Sequence, residues 1–285
     1  DCTRLKSVLR ESNAIPDRAG LLLGNGSDEL IQIILMALKP GAVVMAPEPT
    51  FVMYRQISAS LGLSFVGVPL REGDFSLDEG RFLAMMAEHQ PAVVFLAYPN
   101  NPTGNLFSES SLLKVLESAP ALVVIDEAYA PYADASFMNR AGQTANLLVM
   151  RTLSKLGLAG LRLGFMAGAS ELIDEFEKIR LPYNINVLTQ VSAEFALTQR
   201  KVFDAQVQDI RRDRELMMTE LADMSSLHVY QTHANFILFR LLEHDASDVF
   251  NRLKESDILV KNLNQSGGML KNCLRVTVGA PAENT

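Results

Sequence analysis

The sequence predicts an α/β fold with a mainly parallel central sheet and helices on both of its faces, followed by a smaller α+β C-terminal domain. Three observations predict it. Short apolar runs alternate with amphipathic, helix-period segments over the first two thirds of the 285 residues. The runs are apolar at nearly every position, as strands buried on both faces are. From about residue 186 the pattern changes to a long charged helical stretch followed by mixed strands and helices.

In chain order, residues 21–23, 43–46, 65–68, 93–97, 122–125 and 147–150 read as strands. Between them residues 28–38, 51–61, 77–88 and 109–117 read as amphipathic helices. The charged stretch continues past Arg214 to Met224, and then come strands at 227–230 and 235–240, a helix at 246–255 and a strand at 274–278. The expected division is 1–205 for the large domain and 206–285 for the small one, with the boundary inside the long helix. No repeat, low-complexity tract or Ser/Gly linker separates the two, so they are expected to pack closely. The chain opens at Asp1 without Met and ends at 279–285 in a turn leading toward a helix, so both ends read as trimmed.

Composition narrows the function classes. With 48% hydrophobic and 21% charged residues the chain is an ordinary globular one. No apolar run reaches the ~18–20 residues of a membrane-spanning helix. A net charge of -7 without clustered Lys and Arg argues against nucleic acid. Cys2 and Cys273 are too few and too far apart for a disulfide framework or a zinc site, which points to a reducing cytoplasm. His89, His228, His233 and His244 match no motif, and no metal is implied.

Four segments carry chemistry, each at a strand end. GNGSDE at 24–29 places two glycines and Ser27, a candidate N-cap, where a helix N-terminus can seat an anion; alone, it also reads as a plain capping turn. YPNNPTG at 98–104 puts Asn100 and Asn101 at a carboxyl end of the sheet, where ligands of open α/β sheets gather, although its turn formers need no ligand. DEAY at 126–129 carries a carboxylate off an apolar strand, which calls for a cationic partner or a helix to cap. RTLSK at 151–155 ends the next strand. An amine desolvated there, with Arg151 and Arg162 as neighbouring cations, becomes a usable nucleophile toward an aldehyde; a surface loop lysine is the alternative.

Together with AGLR at 159–162 and CLRVTVG at 273–279, these segments in this order resemble the fold-type I pyridoxal-phosphate enzymes. The likeness is to the aspartate aminotransferase superfamily, and within it most closely to histidinol-phosphate aminotransferases, over nearly the whole chain. The resemblance implies roles. Lys155 would form a Schiff base with pyridoxal 5′-phosphate and then move the proton between the substrate α-carbon and the cofactor. Asp126 would pair with the ring nitrogen, and Asn101 and Tyr129 with the ring's phenolic oxygen. Backbone amides at Ser27 and Asp28, with the side chains of Thr152, Ser154 and Arg162, would hold the phosphate. Phe51, in PTFVMY at 49–54, would stack on the ring, and a core Phe is the plain alternative. Arg275 would bind the acidic group of the substrate, with domain closure bringing it over the cofactor.

The implied reaction is transfer of the amino group of histidinol phosphate to 2-oxoglutarate, in a cytoplasmic homodimer with shared active sites. On the same scaffold an aromatic or broad-range aminotransferase or a phosphothreonine decarboxylase would share the cofactor residues. From a different class comes the ligand-sensing domain of a transcription regulator. Three features depart from the family pattern. Lys261 stands where relatives often carry Arg, which keeps the charge but loses the two-pronged hydrogen-bond geometry. Lys155 and Arg162 are seven residues apart where many relatives have eight. The family's segment preceding Asp1, with its tyrosine that reaches a neighbouring subunit's cofactor, has no counterpart in these residues.

Overall fold

The computed structural model describes residues 2–284. Seven strands form the main sheet: β1 Ala19–Gly24, β2 Val43–Glu48, β3 Ser64–Pro69, β4 Val93–Ala97, β5 Leu122–Asp126, β6 Leu147–Thr152 and β7 Gly164–Ala169, in the order β1-β7-β6-β5-β4-β2-β3. Neighbouring pairs among β2 to β6 are parallel, while β7 runs antiparallel to both β1 and β6. The helices of this part are α1 Thr3–Ser12, α2 Gly26–Met36, α3 Met53–Ser60, α4 Glu79–His89, α5 Glu109–Ser118, α6 Ser170–Glu177 and α7 Val187–Thr198.

Period-two alternation sends successive side chains of each strand into different layers. Leu22, Val44, Phe95, Val124, Leu148 and Met166 pack with α2, α3 and α6. Met45, Val94, Leu96, Ile125, Val149 and Phe165 pack on the other side with α1, α4 and α5. Both faces are therefore covered, as the uninterrupted apolar runs require.

Beyond Gln199 the chain enters the long helix α8 Arg200–Ala222, then β8 Leu227–Val229, β9 Phe236–Leu241, α9 Ala246–Glu255, β10 Lys261–Asn262 and β11 Cys273–Thr277. The four strands make an antiparallel sheet in the order β10-β11-β9-β8. The first turns of α8 pack on the large part, where Val207 joins a cluster with Tyr129, Tyr132, Ala234 and Phe236. Its later turns pack on the small sheet through Met218 beside Ile237 and Val278. Inside this join Arg214, 5% exposed, donates to the carbonyls of Tyr132 and Ala234 at 3.3 and 3.1 Å, so one guanidinium ties both parts together.

The expected strands and helices are present within a few residues of their places. Four elements were not anticipated: α1, α6, the two-residue β10, and β7. The sequence of β7, GFMAGA, has small residues where a strand usually presents bulk. The packing requires them, because a Cβ on Gly168 would lie 2.5 Å from Leu148 Cδ2 and one on Gly164 would lie 2.7 Å from the backbone of Gly26.

Candidate active site

The carboxyl ends of β1, β4, β5 and β6 lie along one edge of the main sheet. Because β7 is antiparallel, it begins at that edge, and the residues just before it arrive there too. One cavity results, enclosing about 570 Å³ including its open mouth, and lined by Ser27, Asp28, Phe51, Asn101, Asp126, Tyr129, Thr152, Ser154, Lys155 and Arg162. All ten residues expected at the cofactor are therefore brought together.

Asp126 continues the alternation of Val124 onto the α2–α3 face and is 4% exposed. Its Oδ2 accepts from the Tyr54 hydroxyl at 2.7 Å, and its Oδ1 accepts from the Ala128 N–H at 3.1 Å. Burial pushes this carboxyl up to about 6 despite those two hydrogen bonds, with the negative charges of Asp28 and Glu127 adding to the rise. Lys155 sits in a 3₁₀ turn, Ser154–Leu156, closed by Gly157 at φ +85°. Its carbonyl accepts from the Tyr132 hydroxyl at 2.6 Å, and its Nζ lies 5.5 Å from the centre of the Tyr129 ring. Burial lowers the pKa of its amine, and the cation of Arg275, with a smaller part from Arg162, lowers it further; Asp126 and Asp28 oppose the shift.

Arg151 is not one of those cations. It follows the alternation of Leu147 and Val149 to the opposite face of β6, where its Nε and Nη2 donate to Oε2 of the fully buried Glu127 at 2.9 and 2.8 Å. Ser136 Oγ and the Phe137 N–H also donate to this carboxylate. The cation beside Lys155 comes instead from the small domain, 120 residues later in the chain.

At the other end of the cavity, α2 starts at Gly26 with Asn25 as its N-cap, so Ser27 and Asp28 lie inside the first turn and Ser27 is not the cap. That correction leaves the anion seat intact, because first-turn N–H groups have no intrahelical partner. Arg162, in the left-handed region at φ +48°, reaches over this turn, with Nη2 3.5 Å from Asp28 Oδ2 and from the Asn25 carbonyl. Gly26, at φ +80°, makes the approach possible, since a Cβ there would lie 2.7 Å from Arg162 Nη2. Thr152 Oγ1 accepts from the Ser154 N–H at 3.1 Å, which folds both hydroxyls into the same turn. Asp28 Oδ1 is buried with no hydrogen-bond partner among the described residues.

The small domain meets this site through Asn101, a residue of the cavity wall. Arg275, in β11, donates to Asn101 Oδ1 and lies 4.5 Å from the centre of the Phe236 ring, which meets Tyr129 edge-on at 5.1 Å. Its Nε is buried without a hydrogen-bond partner among the described residues. Lys261 faces Arg275 across the β10–β11 register and is exposed. Asn100, by contrast, turns away from the cavity: it is fully buried and holds the loop through Thr50, Pro49 and Thr103.

Sequence reasoning missed Tyr54, which stacks on Phe95 at 4.6 Å and binds Asp126 directly. The signal was its position three residues after Phe51. Tyr132 was missed too, since nothing near residue 132 marks it as the anchor of the Lys155 backbone.

Comparison with known proteins agrees with this geometry. The family described as "Aminotransferase class I and II" matches residues 3–285. A histidinol-phosphate aminotransferase 2 from Nitrosococcus oceani is 55% identical over 98% of this chain and 78% of its own length. A histidinol-phosphate aminotransferase from Chromobacterium violaceum is 50% identical with the same coverage. Among solved structures, the histidinol-phosphate aminotransferase from Sinorhizobium meliloti in complex with pyridoxal-5′-phosphate is similar with a TM-score of 0.88 and 25% identity, over 99% of this chain and 78% of that one. The enzyme of that name from Clostridium acetobutylicum, at 22% identity and a TM-score of 0.91 over 99% of this chain and 85% of that one, shares the fold. By its family match, its relatives and its fold, this chain belongs to the class I and II aminotransferases.

Proposed function

We propose that this chain holds pyridoxal phosphate between Lys155 and Asp126 and transfers the amino group of histidinol phosphate to 2-oxoglutarate, yielding imidazole acetol phosphate and glutamate. The observation that carries the substrate is the name shared by relatives 46% to 55% identical over 98% of the chain. The fit of the cofactor rests on the chain's own donors. An amine with a lowered pKa lies at one side of the cavity, a buried carboxylate at another, and first-turn amides with an arginine at the end, where Gly26 leaves the space that a Cβ would fill. When bound, pyridoxal phosphate supplies an aldehyde carbon and a ring that withdraws electrons from the substrate α-carbon.

The residues divide the remaining work. Lys155, its amine less basic than a solvated one, holds the aldehyde end and exchanges the proton at the α-carbon. Asp126, charged and low in solvent access, faces the ring nitrogen and favours its protonated form. Ser27 and Asp28 amides, the Thr152 and Ser154 hydroxyls and Arg162 hold the phosphate. Tyr129 and Asn101 orient the ring, and Phe51 covers one of its faces. Arg275, whose Nε has no partner among the described residues, supplies the charge for the acidic group of each substrate.

We place the division between the two domains near residue 205, inside α8, whose two halves pack on different parts. The exposed apolar face of α7, formed by Val187, Leu188, Val191 and Phe195, supports a homodimer seam of the kind that buries such patches. A biosynthetic role assigns the enzyme to the cytoplasm. Turnover of histidinol phosphate, phenylalanine and threonine phosphate, each with 2-oxoglutarate, tests the reading. The highest kcat/KM on histidinol phosphate is expected; inactivity on it beside brisk use of phenylalanine, or decarboxylation of threonine phosphate, would overturn it.

A further inference from the structure

Tyr54 is fully buried, and its hydroxyl is given to one partner, Asp126 Oδ2, at 2.7 Å. Its ring is held on two sides, stacked on Phe95 at an interplanar angle of 12° and edge-on to Phe51 at 5.6 Å. The hydroxyl therefore has little freedom to point elsewhere. A phenylalanine would fill the same apolar slot, so the slot alone does not call for an oxygen; the carboxylate beyond it does.

We propose that Tyr54 is a positioning residue that, with the Ala128 N–H on the other oxygen, fixes the Asp126 carboxylate for the ring nitrogen of the cofactor. The proposal rests on the reading of Asp126 given above. The groups facing Asp126 explain why a clamp matters. Asp28 from α2 and Glu127, the residue after β5, are like charges that favour the neutral acid, as does burial. Tyr129 lies beside it on the same loop, and Lys155 reaches the cavity from the turn after β6. The hydrogen bonds from Tyr54 and Ala128 act in the opposite sense and favour the ionised form. Phe51 lies just before α3 and Tyr54 in its first turn, and the Tyr54 N–H donates to the Phe51 carbonyl at 3.3 Å, so the wall of the cavity and the clamp on its carboxylate belong to one short segment.

The test uses the full chain stripped of cofactor, with the Asp126 carboxyl followed by carbon-13 NMR against pH and assigned by its loss in Asp126→Asn. Tyr54→Phe is expected to raise the midpoint by about one pH unit or more, the weight of a hydrogen bond to a charged group. Placing 3-fluorotyrosine at position 54, a stronger acid and donor, is expected to lower it. In the reloaded enzyme Tyr54→Phe is expected to weaken pyridoxal phosphate binding and to lower kcat about tenfold, leaving the KM for amino donor within a factor of about two. A midpoint unmoved by both changes, or moved the same way by both, would overturn the role of Tyr54 even where Asp126→Asn abolishes cofactor binding. Unchanged cofactor affinity in Asp126→Asn would overturn the reading of Asp126, and the proposal with it, whatever the titration shows.

Discussion

Replacing Arg275 with Ala removes a cation that the structure connects to two groups of the site at once, the Asn101 side chain and the amine of Lys155, and whose Nε has no hydrogen-bond partner among the described residues. Truncating one partner of a buried, hydrogen-bonded charge pair costs about 2–5 kcal/mol. Arg275 is only partly buried, so the lower end applies, about 2–3 kcal/mol, or roughly 30- to 150-fold in kcat/KM for substrates with an acidic group. The same change acts on Lys155. After burial, Arg275 is the largest influence lowering the pKa of that amine, so its loss moves the pKa up toward the ordinary lysine value. A limb of the pH profile that requires the neutral amine then moves to higher pH. The assay is kcat/KM for histidinol phosphate as a function of pH in both proteins, with the dissociation constant of pyridoxal phosphate measured separately. Cofactor affinity that falls as far as kcat/KM, or a limb that stays in place or moves to lower pH, would refute this division of labour.

In the cofactor-free protein Asp126→Asn should be more stable at pH 8 by up to about 3 kcal/mol, read by urea unfolding. The sign follows from a folded pKa raised from 3.8 to about 6: the penalty for a buried charge is absent below about pH 4, grows between the two values and is complete above the upper one. Lower stability of the variant at pH 8 would contradict this. Gly26→Ala forces a side chain into φ +80° and against Arg162, at a backbone cost of about 1–2 kcal/mol. Its pyridoxal phosphate dissociation constant should rise more than about tenfold, and an unchanged constant would show that Arg162 does not hold the phosphate. Phe195→Glu places a charge on the apolar face of α7 and should yield monomers by sedimentation equilibrium; an unchanged mass would place the seam elsewhere.

Much of this site was legible because its chemistry is written locally. Asp126, Lys155 and Arg162 are polar residues at ends of apolar strands, and a charge in that position needs a reason. Strand alternation, carried one residue further, would also have sent Arg151 to the face opposite Lys155, since it follows Leu147 and Val149 rather than Leu148 and Met150. Other parts were not legible, for physical reasons. In β7 the glycines that let strand and turn approach closely also erase the apolar pattern of a strand. Tyr54 and Tyr132 act through single hydroxyl contacts with partners 72 and 23 residues away, and no local pattern records such pairings. The source of the cation near Lys155 depended on how β11 meets the large domain, which is a tertiary fact.

The central claim is that Lys155 is the amine that holds the cofactor. Reducing the reconstituted protein with borohydride and mapping the modified peptide by mass spectrometry tests it directly. The pyridoxyl group should be found on Lys155 alone, and Lys155→Ala should fold yet take up no label; a label on another lysine, or equal labelling of the variant, would contradict the account.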